Sequence, residues 1–385
     1  MQDPALQAVL AALPGARVVG GAVRDALAGR PVADVDLATP ERPEAVIEAL
    51  VRAGLKHAPT GLQHGTVTAI SAGTGFEVTT LRRDEATDGR HAEVAWTEDW
   101  EQDAARRDFT INAMSMRPDG TVFDYFGGAA DLRAGVVRFV GEPGQRVNED
   151  FLRVLRFFRF QARYAAGPPC EGTLAALRAG VAGLGRLSVE RVWSELKRIL
   201  VVLDPVAALR LMDAVGVLAA VLPGGHDLEA LERLVRAGAP VDGLLRLAAL
   251  QPGAAVAERL KLSRAEAVRL EAFAGPLPDP AWDDDALRRA MADTDPAALV
   301  GRAWLAGGDG ADWAGLRARL AGVRRPIFPL HGRDAVAAGL AAGPAVGLML
   351  AQVRSWWLAG GCRADAAACR AELARHAAMI TELDQ

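Results

Sequence analysis

The stretch GGAVRDALAGRPVADVDLAT, residues 20–39, decides the reading of this chain. Arg17 to Val19 before it form a strand, Gly20-Gly21 a turn, the next residues a short helix, and a second strand carries Asp34 and Asp36. Twin glycines let the backbone come close to a ligand, and the following helix N-terminus offers unpaired N–H groups to a phosphate. Arg24, in the first helical turn, adds a fixed positive charge. Residues i and i+2 of a strand share a face, so Asp34 and Asp36 project together with Cα atoms about 6.6 Å apart. Two carboxylates in that arrangement suit one or two hard divalent ions.

Working outward, Arg42 to Ala53 and residues 4–13 have apolar residues at helical spacing, with Gly54 as a stop after the former. Val67 to Ile70 and Phe76 to Thr80 read as a β-hairpin closed by Ser71 to Gly75. Glu77 then stands on a strand that can lie beside Asp34 and Asp36, a candidate third carboxylate. Residues 82–105 are polar and charged, with Asp88-Gly89 as a turn, and read as a surface loop. Arg106-Arg107-Asp108-Phe109-Thr110-Ile111-Asn112-Ala113 follows. Arg107 can pair with a triphosphate, and Asp108 and Asn112 can engage ribose hydroxyls.

The order strand, Gly-Gly, Arg, strand, Asp-x-Asp, followed by RRDFTINA, resembles the class II nucleotidyltransferases, which contain the tRNA CCA-adding enzymes and bacterial poly(A) polymerases. The resemblance covers residues 17 to about 200 well and thins toward the C-terminus. It implies an α+β fold: a polymerase-β-like head with a small mixed sheet and helices, then all-α neck, body and tail domains. The boundaries expected are 1–140, 141–205, 206–325 and 326–385. It implies Asp34 and Asp36 as catalytic, Mg²⁺-holding carboxylates, with Glu77 as the third candidate. Gly20, Gly21, Arg24, Arg107, Asp108 and Asn112 are the implied nucleotide contacts of the head. In residues 82–105 the family has a flexible loop that CCA-adding and A-adding enzymes share and CC-adding enzymes lack. Asp124-Tyr125-Phe126-Gly127-Gly128 continues the pattern as a connector whose twin glycines suggest a hinge.

From Glu149 to Phe160 the period becomes helical, with Asp150, Arg153, Arg156 and Arg159 three apart, each about 60° around the helix from the last. On that spacing Asp150 and Arg153 share a face and Arg159 points largely away from Asp150. Cytosine and adenine each place an amino donor beside a ring-nitrogen acceptor, whereas uracil and guanine place a carbonyl there. One carboxylate beside one guanidinium therefore accepts C and A and rejects U and G, by about 1–3 kcal/mol per good pair. The resemblance implies the same: Asp150 and Arg153 as the template for the incoming base, Arg156 and Arg159 as further nucleotide contacts. Ser188 to Leu196, with Ser188 as an N-cap, resembles the family's last motif and reads as packing support.

Composition bounds the partners. A content of 51% hydrophobic and 24% charged residues is globular, and no long apolar run is visible, so a cytoplasmic protein without membrane attachment is expected. A net charge of −4 gives no general attraction to nucleic acid, but Arg153, Arg156, Arg159 and Arg163 form a basic run with no acid between them. Cys170, Cys362 and Cys369 lack C-x-x-C spacing and read as small buried residues. His226-Asp227 has no partner histidine for a metal dyad. Beyond residue 205 the chain is helical in pattern. The tail around Pro329 to Asp334, with Arg333, suits contact with an RNA backbone.

The partners expected are ATP, CTP and the 3′ end of the tRNA acceptor stem, and the reaction is addition of C, C and A. An A-adding enzyme, a poly(A) polymerase and a non-catalytic RNA-binding relative are the alternatives. Leu62 to Val67 and Thr87 to Ala92 look more like the CCA-adding branch than the poly(A) branch. A dinucleotide fold would need G-x-G-x-x-G, and the third glycine is missing.

Overall fold

The hairpin centred on Ala72-Gly73 anchors the sheet of the first unit. The computed structural model describes residues 3–87, 92–307 and 310–383. It divides into two compact units, residues 1–226 and 227–385. In the first, Asp3 caps α1 (Pro4–Ala12) by accepting the Ala5 N–H at 2.9 Å. β1 (Arg17–Val19) enters α2 (Gly21–Leu27) through Gly20, whose φ of 66° favours glycine. β2 (Asp36–Thr39), α3 (Pro43–Arg52), β3 (Lys56–Gly61), β4 (Thr66–Ser71) and β5 (Thr74–Thr80) follow. β6 (Arg82–Thr87), β7 (Ala92–Trp96), α4 (Trp100–Ala105), β8 (Met114–Met116), β9 (Val122–Asp124) and α5 (Gly128–Ala134) complete the head.

Seven strands form one mixed sheet in the order β3-β4-β5-β2-β1-β8-β9. Only β2 and β5 pair in parallel, with Leu37 opposite Val78, which puts Asp36, the first residue of β2, beside Glu77 in the middle of β5. Alternation explains the burial: Val67 and Ala69 on β4 and Phe76 and Val78 on β5 face the core, as do Leu6, Val9, Val46 and Leu50 of the helices covering that face. The polar positions, Thr66, Glu77 and Thr79 among them, face the other way and are left for the site.

The helical part of this unit contains α6 (Pro143–Glu149), α7 (Leu152–Tyr164), α8 (Glu171–Gly180), α9 (Val189–Leu200), α10 (Val206–Ala214) and α11 (Val217–Val221). Val154, Leu155, Phe157 and Phe158 of α7 are fully buried, each contributing about 1.5–3 kcal/mol. Phe109 meets Phe139 and Phe160 with ring centroids 4.9 and 5.1 Å apart, so the RRDFTINA segment is packed directly on α7. The Thr110 N–H bonds the Arg138 carbonyl at 2.9 Å beside it.

The second unit is helical from Leu228–Arg236 to Ala366–Leu383, with no strand among the described residues. One of its cores gathers Leu287, Met291, Leu299, Leu316 and Leu320, another Leu330, Met349, Val353, Trp357 and Leu373. Arg333 is exposed on the helix Gly332–Ala337. No described helix is long and apolar enough to cross a membrane.

Several expectations need correction. The polar interval 82–105 is not a loop: it forms the β6–β7 ladder and α4. Its strands pair with each other in a two-stranded sheet separate from the main one. Asp88-Gly89, and with it the comparison drawn from Thr87 to Ala92, lies largely outside the described residues. β2 starts at Asp36, so Asp34 precedes the strand. The helix read from Glu149 is two helices, with Asp150 (φ −153°) extended between them. Ser188 takes the N-cap position of α9 without a side-chain bond to the helix. At the twin glycines, a Cβ on Gly128 would stand 2.1 Å from the Thr110 carbonyl oxygen, so close packing rather than a hinge requires this glycine. Of the cysteines, Cys369 is buried, but Cys170 is exposed and Cys362 half-buried. His226 pairs with Asp213 at 2.8 Å and Asp227 caps the next helix, which accounts for both.

Candidate active site

The Gly20-Gly21 turn, the start of β2, the RRDFTINA segment and one side of α7 converge on a cavity of about 1310 Å³. Gly20, Gly21, Arg24, Asp34, Asp36, Arg107, Asp108, Asn112, Asp150, Arg153, Arg156 and Arg159 all line it. Glu77 does not. It lines two adjoining cavities, of about 510 and 700 Å³, that share Asp36 with the first. Arg333 belongs to the second unit.

At the carboxylate end, Asp36 is partly desolvated, which together with the charges of Glu77 and Asp34 pushes its carboxyl above the ordinary value against the pull of Arg107. Arg107 is itself held by Asp103, 3.0 Å away, and Asp103 also holds Arg106. Burial opposes the charge on Asp103, yet the two arginines keep its pKa low. Gly20 has a second reason to lack a side chain: its Cβ would approach the Arg107 guanidinium to 3.0 Å.

Arg24 is buried beneath the turn rather than free in it. Its guanidinium bonds the Asn112 side-chain oxygen, pairs with Asp25 at 3.0 Å, and lies over the rings of Phe160 and Tyr164. Asp108 accepts from the Asn112 amide and the Phe109 N–H, each at 2.9 Å, while its other oxygen receives both Nε and Nη2 of Arg156. Burial works against ionisation of Asp108, but Arg156 and the two donors outweigh it and hold its pKa down. One carboxylate thus ties the RRDFTINA segment to α7.

Asp150, lying between α6 and α7, accepts the Leu152 N–H at 3.0 Å with one oxygen and Arg191 at 3.0 Å with the other. Arg153 pairs with Glu149 and donates to the Arg146 carbonyl at 2.8 Å. The two groups are each fixed by a third party, not by one another. With Asp150 off the helix, Arg159 lines the same cavity instead of pointing away. Its guanidinium is pulled down to about 10 by burial, against the charge of Glu195 3.1 Å away, and stays protonated at neutral pH. Glu195 is buried on α9 and also receives Arg198. So α9 supplies Arg191 and Glu195 to the polar site, beyond the packing expected of it. Their spacing of four residues places them on one helix face, which is the signal the sequence offered.

Residues 16–138 match the family of the poly A polymerase head domain, and residues 171–228 the probable RNA and SrmB-binding site of polymerase A. The chain is 43% identical over 265 residues to the mitochondrial CCA tRNA nucleotidyltransferase 1 of Danio rerio, covering 65% of this chain and 60% of that protein. It is 39% identical over 213 residues to the CCA-adding enzyme of Lacticaseibacillus paracasei, covering 54% and 51%. A solved structure of the Bacillus stearothermophilus CCA-adding enzyme in complex with CTP superposes with a TM-score of 0.75 at 27% identity, over 99% of this chain and 100% of that one. Residues 16–138 thus carry the poly A polymerase head domain, and the chain as a whole is similar to CCA-adding enzymes. Its matches span about half to three-fifths of the length of these two curated relatives.

The likeness to nucleotidyltransferases implies dependence on a divalent metal. The residues present fit one: Asp34 and Asp36 are hard oxygen donors lining one cavity, and the burial and charge repulsion that raise the Asp36 pKa are what a cation would offset. Among the described residues no group of three such ligand side chains stands close enough to hold a metal ion.

Proposed function

We propose that this nucleotidyltransferase adds C, C and A to the 3′ end of tRNA from CTP and ATP. The observation that supports it most is a single cavity holding both the Asp34–Asp36 pair and the Asp150–Arg153 pair, one suited to transfer and the other to reading C and A. Asp34 and Asp36 would hold Mg²⁺, which when bound supplies charge neutralisation at the triphosphate and lowers the pKa of the attacking hydroxyl. Glu77, beside Asp36, would add negative charge to that end. The Gly20-Gly21 turn lets the triphosphate approach the backbone, with Arg24 and Arg107 behind it. Asp108 and Asn112 orient the ribose, Asp150 and Arg153 pair with the base edge, and Arg156 and Arg159 complete the cationic wall. The 3′-oxygen of the RNA bonds to the α-phosphorus as the bond to pyrophosphate breaks. The exposed Arg333 would touch the RNA backbone.

The head match to poly A polymerases favours one second reading, a poly(A) polymerase. Extension of tRNA transcripts ending before CCA, after C and after CC, with CTP and ATP singly and together, separates the readings. Growth of all three to one CCA end is expected. A single A on the CC-ending RNA alone means an A-adding enzyme, long A tails a poly(A) polymerase, and no extension with Mg²⁺ a binding role. Asp36→Ala should abolish transfer and leave the circular dichroism spectrum unchanged. A cytoplasmic location goes with this reading, although the Danio rerio relative is named as mitochondrial, and cell fractionation decides between them.

A further inference from the structure

Nine arginines line the main cavity, and seven of them stand within 4.0 Å of a carboxylate. Arg30 and Arg163 have no such partner among the described residues. Both flank the Tyr164 ring, with their guanidinium carbons 4.8 and 5.5 Å from its centroid. Arg30 donates to the Arg163 carbonyl at 2.8 Å, so one of its five N–H donors is used to fix its place and the rest remain. Asp25, which could have neutralised this corner, is committed to Arg24 and to the Tyr164 hydroxyl.

We propose that Arg30 and Arg163 form a phosphodiester subsite for the RNA strand whose 3′ end is extended. This rests on the reading of the cavity as a nucleotidyl-transfer site. Arg163 lies ten residues along α7 from Arg153, about 15 Å at a helical rise. Arg30 lies beyond the C-terminal end of α2, away from the Gly20-Gly21 turn. The pair therefore stands away from the Arg153 end of α7, on the Tyr164 ring that Arg24 also covers, and extends the cationic wall toward the part of the cavity left to the other substrate. That substrate carries one phosphate per nucleotide. Two guanidiniums without a directly contacting carboxylate, Arg163 meeting Asp25 only through space, suit its backbone without reading its sequence.

The test uses the full chain and a fluorescein-labelled tRNA transcript lacking the terminal A, with binding followed by anisotropy without nucleotide across a salt series. Arg30→Ala and Arg163→Ala should each raise the RNA dissociation constant about 3- to 10-fold. Each should make the slope of log affinity against log salt shallower by about 0.7, as expected for one lost contact to a single strand. The lysine variants should restore the slope. Unchanged RNA binding in the double alanine variant overturns the proposal. So does a rise in the Michaelis constant for ATP without a change in RNA affinity, which would make these arginines triphosphate contacts. If the unaltered protein binds the transcript but extends nothing, the transfer reading fails, while the salt slopes still decide the subsite.

Discussion

Replacing Asp108 with Asn keeps the shape of the side chain and removes its charge. Asp108 is 9% exposed and carries three partners: Arg156, Asn112 and the Phe109 N–H. An amide that keeps its oxygen toward Phe109 and Asn112 turns its NH₂ on the guanidinium of Arg156, and one turned the other way sets its NH₂ against both the Asn112 NH₂ and the Phe109 N–H, a donor against a donor either way. Removing one partner of a buried ion pair costs about 3–5 kcal/mol. The Arg156 side chain is 31% exposed, so water recovers part of that, and about 2–3 kcal/mol is the expected loss. For a unit of this size, each kcal/mol lowers the melting temperature by about 2–4 °C, so calorimetry should show a fall of about 4–12 °C. The pH dependence identifies the cause. The Asp108 pKa is depressed on folding, so its contribution is complete above the unfolded value of 3.8 and is lost as pH falls through the folded one. The gap between the two proteins in urea unfolding should therefore hold from pH 7 to about 4 and close below it. A gap that stays constant down to pH 2.5 would refute the ion-pair argument and make the effect one of packing.

Arg191→Ala frees one oxygen of Asp150 and leaves only the Leu152 N–H to orient it. Selection of CTP over UTP, measured as the ratio of kcat/KM values, should fall about 3- to 10-fold, a part of the 1–3 kcal/mol that a good pair supplies; an unchanged ratio would remove Arg191 from base selection. Gly128→Ala places a methyl 2.1 Å from the Thr110 carbonyl oxygen, where backbone must shift, and should cost about 1–3 kcal/mol in denaturant unfolding. A neutral result would show that the connector yields easily and would revive the hinge.

What the sequence disclosed and what it withheld divide along one line. Motifs whose chemistry is carried by neighbours in the chain were legible: the turn at Gly20-Gly21, the hairpin between Val67 and Thr80, and the carboxylates near the start of β2. The cavity brings together twelve of the residues named from sequence, from Gly20 to Arg159. Contacts set by residues far apart were not legible. Asp108 and Arg156 are 48 positions apart, and Asp150 and Arg191 are 41 apart. The spacing of Asp150 and Arg153 looked like a helical repeat, although Asp150 lies before Phe151, the N-cap of α7, and accepts the Leu152 N–H from outside the helix. The consequence reached Arg159, whose direction was measured from the wrong origin.

Glu195 shows the same limit from the other side. On α9, Glu195 stands three and four residues from Val192 and Ile199, on the side of the apolar face they form with Leu196, and the packing read for this helix assigned no role to a charge there. Its burial follows from Arg159, which brings a charge to the cavity wall and needs an opposite one behind it. A buried acid is stable only where such a cation meets it, and the cation comes from α7, 36 positions away. The polar site is therefore a property of two helices packed together. Neither helix, read alone, contains the reason for the other's charges, while Arg30 and Arg163 are recognisable only because every other arginine around them has been satisfied.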